Sequence, residues 1–327
     1  MDANAPKQKE IYMKKLTFLP LFLVAPLLVG CGNNVKAPKF AKVGDEVAGD
    51  KFIADLTEKS SASAISKEDK LGSLVIKSVV KSVDEAKLTR ADKTVVSQST
   101  TYEEQKTDAK YDAANLLVAG KTSAKATLNK KTLYGTEKTN GTTKGNTFIQ
   151  QFEKDGKKYA VMGNKEAKEL NKMVEFTELL PADKYFDTMM KAMIGENGEH
   201  IMDACADWSM ADEEGKKNFK FYENGNIFTV EYKRVIENEE HKNGEDKVDK
   251  VTNATYSYKA QIDLTDGAWK AMYYSEAEEK VEYKLNSGSN LEGEVKVTKG
   301  KSSEEVEVNS KDVKLKAVDV SKYKDNI

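Results

Sequence analysis

The chain is poor in the residues on which catalysis and covalent cross-linking depend: its 327 residues include two histidines, two cysteines and five prolines. Histidine is the commonest general base, and the sequence also lacks a Gly-x-Ser-x-Gly elbow and a glycine-rich phosphate loop. Two cysteines allow at most one disulfide, so the fold depends on apolar burial. These absences predict a protein that is not an enzyme and that uses no cofactor and no metal.

An excess of charge of one sign is also missing. The chain has 52 basic and 54 acidic residues, a net charge of −2, and the two signs are interspersed. Nucleic-acid binding requires a basic stripe or patch, which this arrangement does not provide. The composition therefore argues against a nucleic-acid partner.

The one long apolar run lies near the start of the chain. Lys14 and Lys15 precede an apolar stretch from Leu16 to Val29, which is broken by Thr17, Pro20 and Pro26. The run is too short for a comfortable transmembrane helix, which takes about 20 apolar residues, and its prolines weaken a helical span. A basic start followed by a short apolar core is typical of a secretory signal peptide.

Leu28-Val29-Gly30-Cys31 closes this segment and resembles the lipobox of bacterial lipoproteins. The resemblance implies cleavage between Gly30 and Cys31 and acylation of the Cys31 thiol with a diacylglycerol. It further implies a membrane partner reached through Cys31 and a location on the extracytoplasmic face of the cell membrane. Cys205 would then have no partner for an internal disulfide.

This interpretation divides the chain into three parts. Residues 1–30 form a leader and signal peptide that is removed, with translation expected to start at Met13, because residues 1–12 do not fit a signal peptide. The polar, glycine-bearing residues 31–50 suit a flexible tether. Residues 51–327 form a single domain, in which a short helix is expected around Phe52 and Leu56.

Asn-Gly and Asp-Gly pairs between alternating strands predict hairpins. A turn at Asn224-Gly225 would pair Phe221 with Phe228 and Phe219 with Val230. A turn at Asp266-Gly267 predicts four neighbouring pairs: Leu264 with Trp269, Ile262 with Ala271, Ala260 with Tyr273, and Asp263 with Lys270. A turn at Asp155-Gly156 would pair Phe152 with Tyr159 and Glu153 with Lys158. Asn140-Gly141 and Asn243-Gly244 would mark longer connections.

Between about residues 165 and 214, apolar residues no longer recur at every second position but at nearly every fourth. Apolar residues recur at helical spacing there, which predicts a helix after Pro181 and a second helix carrying Ile201, Cys205 and Trp208. The predicted fold class is α+β: a large, curved, half-barrel-like antiparallel sheet covered by this inserted pair of helices.

This layout resembles the LolA-like lipoproteins, including the LppX and LprG type. The resemblance implies a binding module that shelters an apolar or lipid-like ligand between sheet and helices. The residues expected to line the cavity are Phe186, Met189, Met193, Trp208 and Trp269. An ordinary packed core explains the methionines and tryptophans equally well.

The alternative function is a surface protein with a solid core and no small-molecule ligand, which presents aromatic side chains to an envelope or host protein. Tyr222, Tyr256 and Tyr274 are candidates for such a patch. Cys205 lies on an apolar stripe without a basic neighbour, which is typical of an inert buried thiol. His200 and His241 lie beside acidic residues in charged stretches, where a solvated surface explains them better than a metal site.

Overall fold

A computed structural model of the chain describes residues 35–62, 73–164, 172–175, 200–242, 248–265, 268–284 and 293–317. The predicted signal peptide, Cys31 and most of the segment around Met189 and Met193 lie outside these ranges. The described residues form twelve strands and three helices.

The strands form one antiparallel sheet. They are β1 (Asp45–Val47), β2 (Leu74–Thr89), β3 (Val95–Asp112), β4 (Leu117–Thr132), β5 (Gly135–Lys154), β6 (Lys157–Asn164), β7 (Lys172–Glu175), β8 (Phe219–Asn224), β9 (Ile227–Lys242), β10 (Val248–Asp263), β11 (Ala268–Tyr283) and β12 (Val295–Ser310). Their order across the sheet is β1-β8-β9-β10-β11-β12-β2-β3-β4-β5-β6-β7. Strands of sixteen residues, such as β2 and β9, extend for about 53 Å.

The helices are short. They are α1 (Gly49–Ala62), α2 (His200–Met210) and α3 (Glu213–Lys216). Helix α1 has Asp50 in its first turn and Lys59 in its last, which suits the helix dipole. Asp212 caps α3 by accepting a hydrogen bond of 2.7 Å from the Gly215 N–H.

The predicted α+β fold, with a pair of inserted helices covering the sheet, is wrong. The described chain is mostly antiparallel sheet, and its helices are small. Helix α1 precedes the long strands and packs on β8, while α2 packs on β9 and β10. The segment expected to be helical also supplies strand β7. The strands, with their alternation of inward and outward side chains, therefore extend through more of the chain than the turn residues and the composition indicate.

Two of the predicted hairpins are confirmed. Phe152 lies opposite Tyr159 and Glu153 opposite Lys158, with positive φ at Asp155 (53°) and Gly156 (73°), as a type I′ turn requires. In the second hairpin Ile262 lies opposite Ala271, Ala260 opposite Tyr273 and Asp263 opposite Lys270. The turn residues Asp266 and Gly267 themselves lie outside the described ranges.

The register predicted for the β8–β9 hairpin is wrong by two residues. Phe221 lies opposite Val230 and Phe219 opposite Tyr232. The turn is centred on Gly225 and Asn226, and Gly225 has a φ of 63°, which suits the first central position of a type II′ turn. Because side chains alternate with a period of two, the shift leaves the same residues on the same face.

The pair Asn140-Gly141 does not form a connection, contrary to prediction. Both residues lie inside β5, where Asn140 is opposite Thr127 and Gly141 is opposite Ala126. The turn between β4 and β5 falls instead at Leu133 and Tyr134. Asn243 and Gly244 lie outside the described ranges.

A buried carboxylate, Asp112, holds the segment that follows β12 at the end of β3. It is 2% exposed and accepts hydrogen bonds from the backbone N–H groups of Ala114, Asn115 and Leu315 and from the Asn115 side chain, at 2.8–3.3 Å. Burial raises the pKa of Asp112, but these hydrogen bonds outweigh it and hold the pKa below its usual value.

We therefore expect Asp112 to stabilise the fold in a pH-dependent way. A carboxyl group whose pKa is lowered by folding contributes stability above its unfolded pKa, and that contribution disappears as the pH falls through the folded pKa. Asp112→Asn should cost about 1–3 kcal/mol at neutral pH and less at an acidic pH below the usual pKa of aspartate, about 3.9. Urea unfolding at both pH values measures this. An equal loss of unfolding free energy at both pH values would show that the charge of the Asp112 carboxylate does not contribute to stability.

Candidate functional site

The two faces of the sheet have different character. We call the face that carries Phe228, Val230 and Ile262 the helix side, because α1 and α2 pack on it. The opposite face, which carries Thr229, Lys259 and Gln261, is the outer face. Alternation along the strands places polar and charged residues on most of the outer face.

The helix side contains a closed core beneath α1 and α2. The Phe52 ring lies 4.9 Å from Phe221 and 5.4 Å from Phe228, measured between centroids, and both Phe52 and Phe228 are 0% exposed. The other buried members of this cluster are Leu56, Ile201, Ala204, Cys205, Val230, Ala260, Ile262 and Leu264. These apolar contacts fix both helices on the sheet.

Two of the five residues predicted to line a cavity lie in this core region. Trp208 makes an edge-on contact with Phe221 at 5.5 Å, and its ring lies so close to Gly49 that a side chain there would meet it at 2.5 Å. Trp269 is partly buried and packs against the same cluster. Phe186, Met189 and Met193 lie outside the described residues. Trp208 and Trp269 therefore contribute to packing between the sheet and the helices.

The polar and titratable groups on the sheet-facing side of α2 suit a structural role. Burial raises the pKa of the Cys205 thiol to about 11, so it stays protonated at neutral pH, as expected of an inert cysteine. His200 stacks on Tyr273 at 3.8 Å between ring centroids, and its Nε2 lies 3.0 Å from Glu304 Oε2. These contacts join the start of α2 to β11 and β12.

The apolar surface of the helix side continues beyond α1 and α2. Ile76 lies opposite Val308 and Ala109, and Leu74 lies opposite Tyr111, so β12, β2, β3 and β4 present one continuous row. We call this row the apolar strip; its members are all at most 4% exposed and are Leu74, Ile76, Ala109, Tyr111, Val118, Val306 and Val308. Helices α1 and α2 pack mainly on β8, β9 and β10, and His200 at the start of α2 contacts β11 and β12.

On the outer face, the described part of the predicted tether crosses the strands. Val35 is 4% exposed and packs on Val83 and Tyr102, with Tyr274 alongside. Further along the segment, the Ala41 N–H donates to Gln261 Oε1 at 2.7 Å, and Gln261 Nε2 donates to the Ala41 carbonyl at 3.2 Å. The segment ends in β1, which pairs with β8.

A lysine-lined depression lies on the outer face across β2 to β5. Two adjoining hollows of about 600 and 350 Å³ share Asp108, Lys121 and Asn146. We call this depression the lysine trough; its charged lining is Lys77, Lys106, Asp108, Lys110, Lys121 and Lys144, all of them exposed. Sequence analysis missed it, because its lysines come from four strands and only the register brings them together.

The aromatic residues proposed for a docking patch are only partly exposed. Tyr222, Tyr256 and Tyr274 are each half-buried, and Tyr274 packs beside Val35. The most exposed large apolar side chains instead include Tyr134, at 98%, and Met210, at 78%. Tyr134 lies at the tip of the β4–β5 hairpin. Because a connection was predicted at Asn140-Gly141 instead, the sequence did not indicate that Tyr134 is exposed.

Two features are absent from the described residues. No helix among them is long and apolar enough to cross a membrane. Within the same residues, no three His, Cys, Asp or Glu side chains gather as metal ligands. His241 lies 3.6 Å from Glu239 on β9, with both side chains open to solvent.

Comparison with known proteins gives no family. No protein family and no curated protein matches the chain. A structure titled for lipid–protein interactions in lipovitellin aligns with 76% of this chain at 10% identity and a TM-score of 0.28, and the chain spans 26% of that protein. The outer membrane protease OmpT of Escherichia coli aligns with 75% of this chain and 100% of its own, at 8% identity and a TM-score of 0.22.

The beta domain of the Bordetella autotransporter BrkA gives a similar result. It aligns with 72% of this chain and 100% of its own, at 10% identity and a TM-score of 0.20. TM-scores at this level do not establish a common fold, so these likenesses assign no function to the chain.

Proposed function

We propose that this protein is a lipid-anchored extracytoplasmic binding protein without catalytic activity, which holds an apolar or lipid-like ligand on the helix side of its sheet. Acylation at Cys31 would supply the anchor, on the evidence of the lipobox-like segment. The apolar strip is the observation that carries the ligand-binding part of the proposal. It gives the sheet a row of apolar side chains on four adjacent strands beyond those that α1 and α2 cover.

The chemistry of the strip favours an apolar ligand over a polar one. Val306, Val308 and Ala109 are each 0% exposed, so a ligand would reach them by displacing the part of the chain that shields them from water. An uncompensated polar group placed beside them would lose its hydrogen bonds to water without replacement. A hydrocarbon chain has no hydrogen bonds to water to lose. Its burial against the strip would stabilise the complex by about 25 cal/mol for each Å² of apolar surface removed from water.

Isosteric substitution tests the strip with little change of shape. Val308→Thr adds one hydroxyl to the strip, and Val79→Thr makes the same change on the outer face. Val308→Thr should weaken the binding of cis-parinaric acid about tenfold, since an unpaired hydroxyl costs about 1–3 kcal/mol. Val79→Thr should leave binding unchanged. Fluorescence titration measures both, and equal affinities, or no saturable binding, would contradict the proposal.

A second candidate function is favoured by the closed core. Phe52, Phe221, Phe228 and Trp208 pack tightly beneath α1 and α2. A surface protein that presents its sheet to an envelope or host protein needs such a core and no ligand. This candidate predicts that the purified protein carries no lipid besides its anchor and does not bind cis-parinaric acid.

A further inference from the structure

Most lysines of the trough have no ion-pair partner among the described residues, unlike several lysines elsewhere on the outer face. Elsewhere on this face Lys299 contacts Glu278 at 2.8 Å and Lys301 contacts Glu276 at 2.7 Å. In the trough, Lys106 contacts Glu104 at 2.9 Å. Its other four lysines have no ion-pair partner within the described part of the chain: Lys77, Lys110, Lys121 and Lys144.

Positive charge therefore accumulates at this place. Five lysines line the trough with a single aspartate, Asp108. They lie on adjacent strands, where Lys77 and Lys121 both lie directly opposite Asp108, and Lys106 and Lys144 both lie directly opposite Ser123. Asp108 offsets only part of this charge, so the lining of the trough stays positive. The trough is thus complementary to an anionic surface.

The predicted anchor must lie close to the trough. Three residues, Gly32, Asn33 and Asn34, separate Cys31 from Val35, so at most about 14 Å of extended chain would join the anchor to Val35. Val35 is docked on Val83 and Tyr102. Lys106 follows Tyr102 on β3 by four residues, a distance of about 13 Å along the strand. An acyl chain on Cys31 would therefore hold the membrane surface near the trough.

We propose that the lysine trough binds the anionic headgroups of the membrane in which the chain is anchored, so that the outer face of the sheet lies against the lipid. This inference rests on the acylation of Cys31 proposed above. Polybasic surfaces attract anionic lipids with an energy that grows with each lysine and that salt screens. The half-buried Phe148 and Leu315, which line the trough beside Lys110, would contact the first methylenes below a headgroup.

Vesicle binding tests the trough without the anchor. The chain from residue 31 onward, with Cys31→Ser, contains every described residue and has no acylation site at that position. It should sediment with vesicles of phosphatidylcholine and phosphatidylglycerol but not with pure phosphatidylcholine. The triple variant Lys110→Gln, Lys121→Gln and Lys144→Gln should bind about fivefold more weakly per lysine, or roughly 100-fold in total.

A matched triple variant controls for net charge. Lys130, Lys216 and Lys217 are changed to glutamine in it; Lys130 alternates onto the helix side and the other two lie in or beside α3. This variant should keep most of the binding, and circular dichroism should show both variants folded. If the trough variant unfolds, Lys121→Gln alone should still weaken binding about fivefold.

Three results would overturn the inference: equal binding to the two kinds of vesicle, equal losses in the two triple variants, or no loss with Lys121→Gln. None of them bears on acylation, which is read separately from the mass of the Cys31 peptide. If Cys31 is acylated and the vesicle experiment fails, headgroup binding by the lysine trough is rejected and the proposed lipid anchor is retained. An unmodified Cys31 would remove the reason to place the trough beside a membrane.

Discussion

Replacing Phe228 with alanine is expected to lower the free energy of unfolding by about 3–5 kcal/mol. Phe228 is 0% exposed and its ring makes an edge-on contact with Phe52, the residue that fixes α1 on the sheet. Removal of the ring leaves a cavity between helix and strand, because the backbones of β9 and β10 cannot move inward to fill it. Denaturant unfolding of the purified variant measures the loss.

Val235→Ala is the control for this substitution. Val235 lies on the same strand, β9, and is 52% exposed, so its truncation should change the stability by less than about 0.5 kcal/mol. A Phe228→Ala variant as stable as Val235→Ala would show that the helices are not held by this core.

Replacing Cys31 with serine is expected to move the protein out of the purified membrane fraction. The proposed diacylglycerol is attached through the Cys31 thiol, and serine offers no thiol for that bond. Two acyl chains give stable anchoring, whereas their removal leaves at most the weaker attraction between lysines and anionic lipid. Cell fractionation at high salt, which weakens that attraction, followed by immunoblotting, measures the shift.

Cys205→Ser is the matched control, since it changes the other cysteine in the same way. Cys205 lies on the buried face of α2, and this variant should stay with the membrane as the unaltered chain does. A Cys31→Ser protein that remains membrane-bound at high salt would contradict the lipobox interpretation.

The hairpins of this fold could be predicted from sequence where alternation and turn chemistry agree. Asp155-Gly156 supplies the two positive φ angles of a type I′ turn, and the register that it predicts is confirmed. The β8–β9 turn offers Asn224-Gly225 or Gly225-Asn226 as its central pair, and both choices bury the same face. Alternation therefore determines which face is buried, and it leaves a register shift of two undetermined.

The extent of the sheet could not be predicted, because turn residues do not always form turns. Asn140-Gly141 lies within β5, where pairing with β4 along the whole strand satisfies its backbone. Val297 and Val306 belong to one strand, β12, although a charged stretch separates them. Pairing with the neighbouring strands therefore outweighs the preference of these residues for turns. The sheet is accordingly larger, relative to the helices, than predicted.

The site was predictable only in part. A helical stripe placed Trp208 and Cys205 correctly on α2, and strand alternation placed Trp269 on the same side of the sheet. The lysine trough depends on register across four strands, which alternation within each strand does not give. Lys270 illustrates the same limit: it lies opposite Asp263 as predicted, yet it forms its ion pair with Glu305 on β12, at 2.6 Å.

Native mass spectrometry of the protein extracted from its own membrane tests the central proposal most directly. We expect the mass of the chain from residue 31 with its diacylglycerol, together with a second population carrying one additional lipid-sized molecule. That second population should disappear after extraction with organic solvent, whereas the acyl modification stays on Cys31. A single population with the mass of the acylated chain alone would contradict ligand binding, and a chain without acyl groups would contradict the anchor.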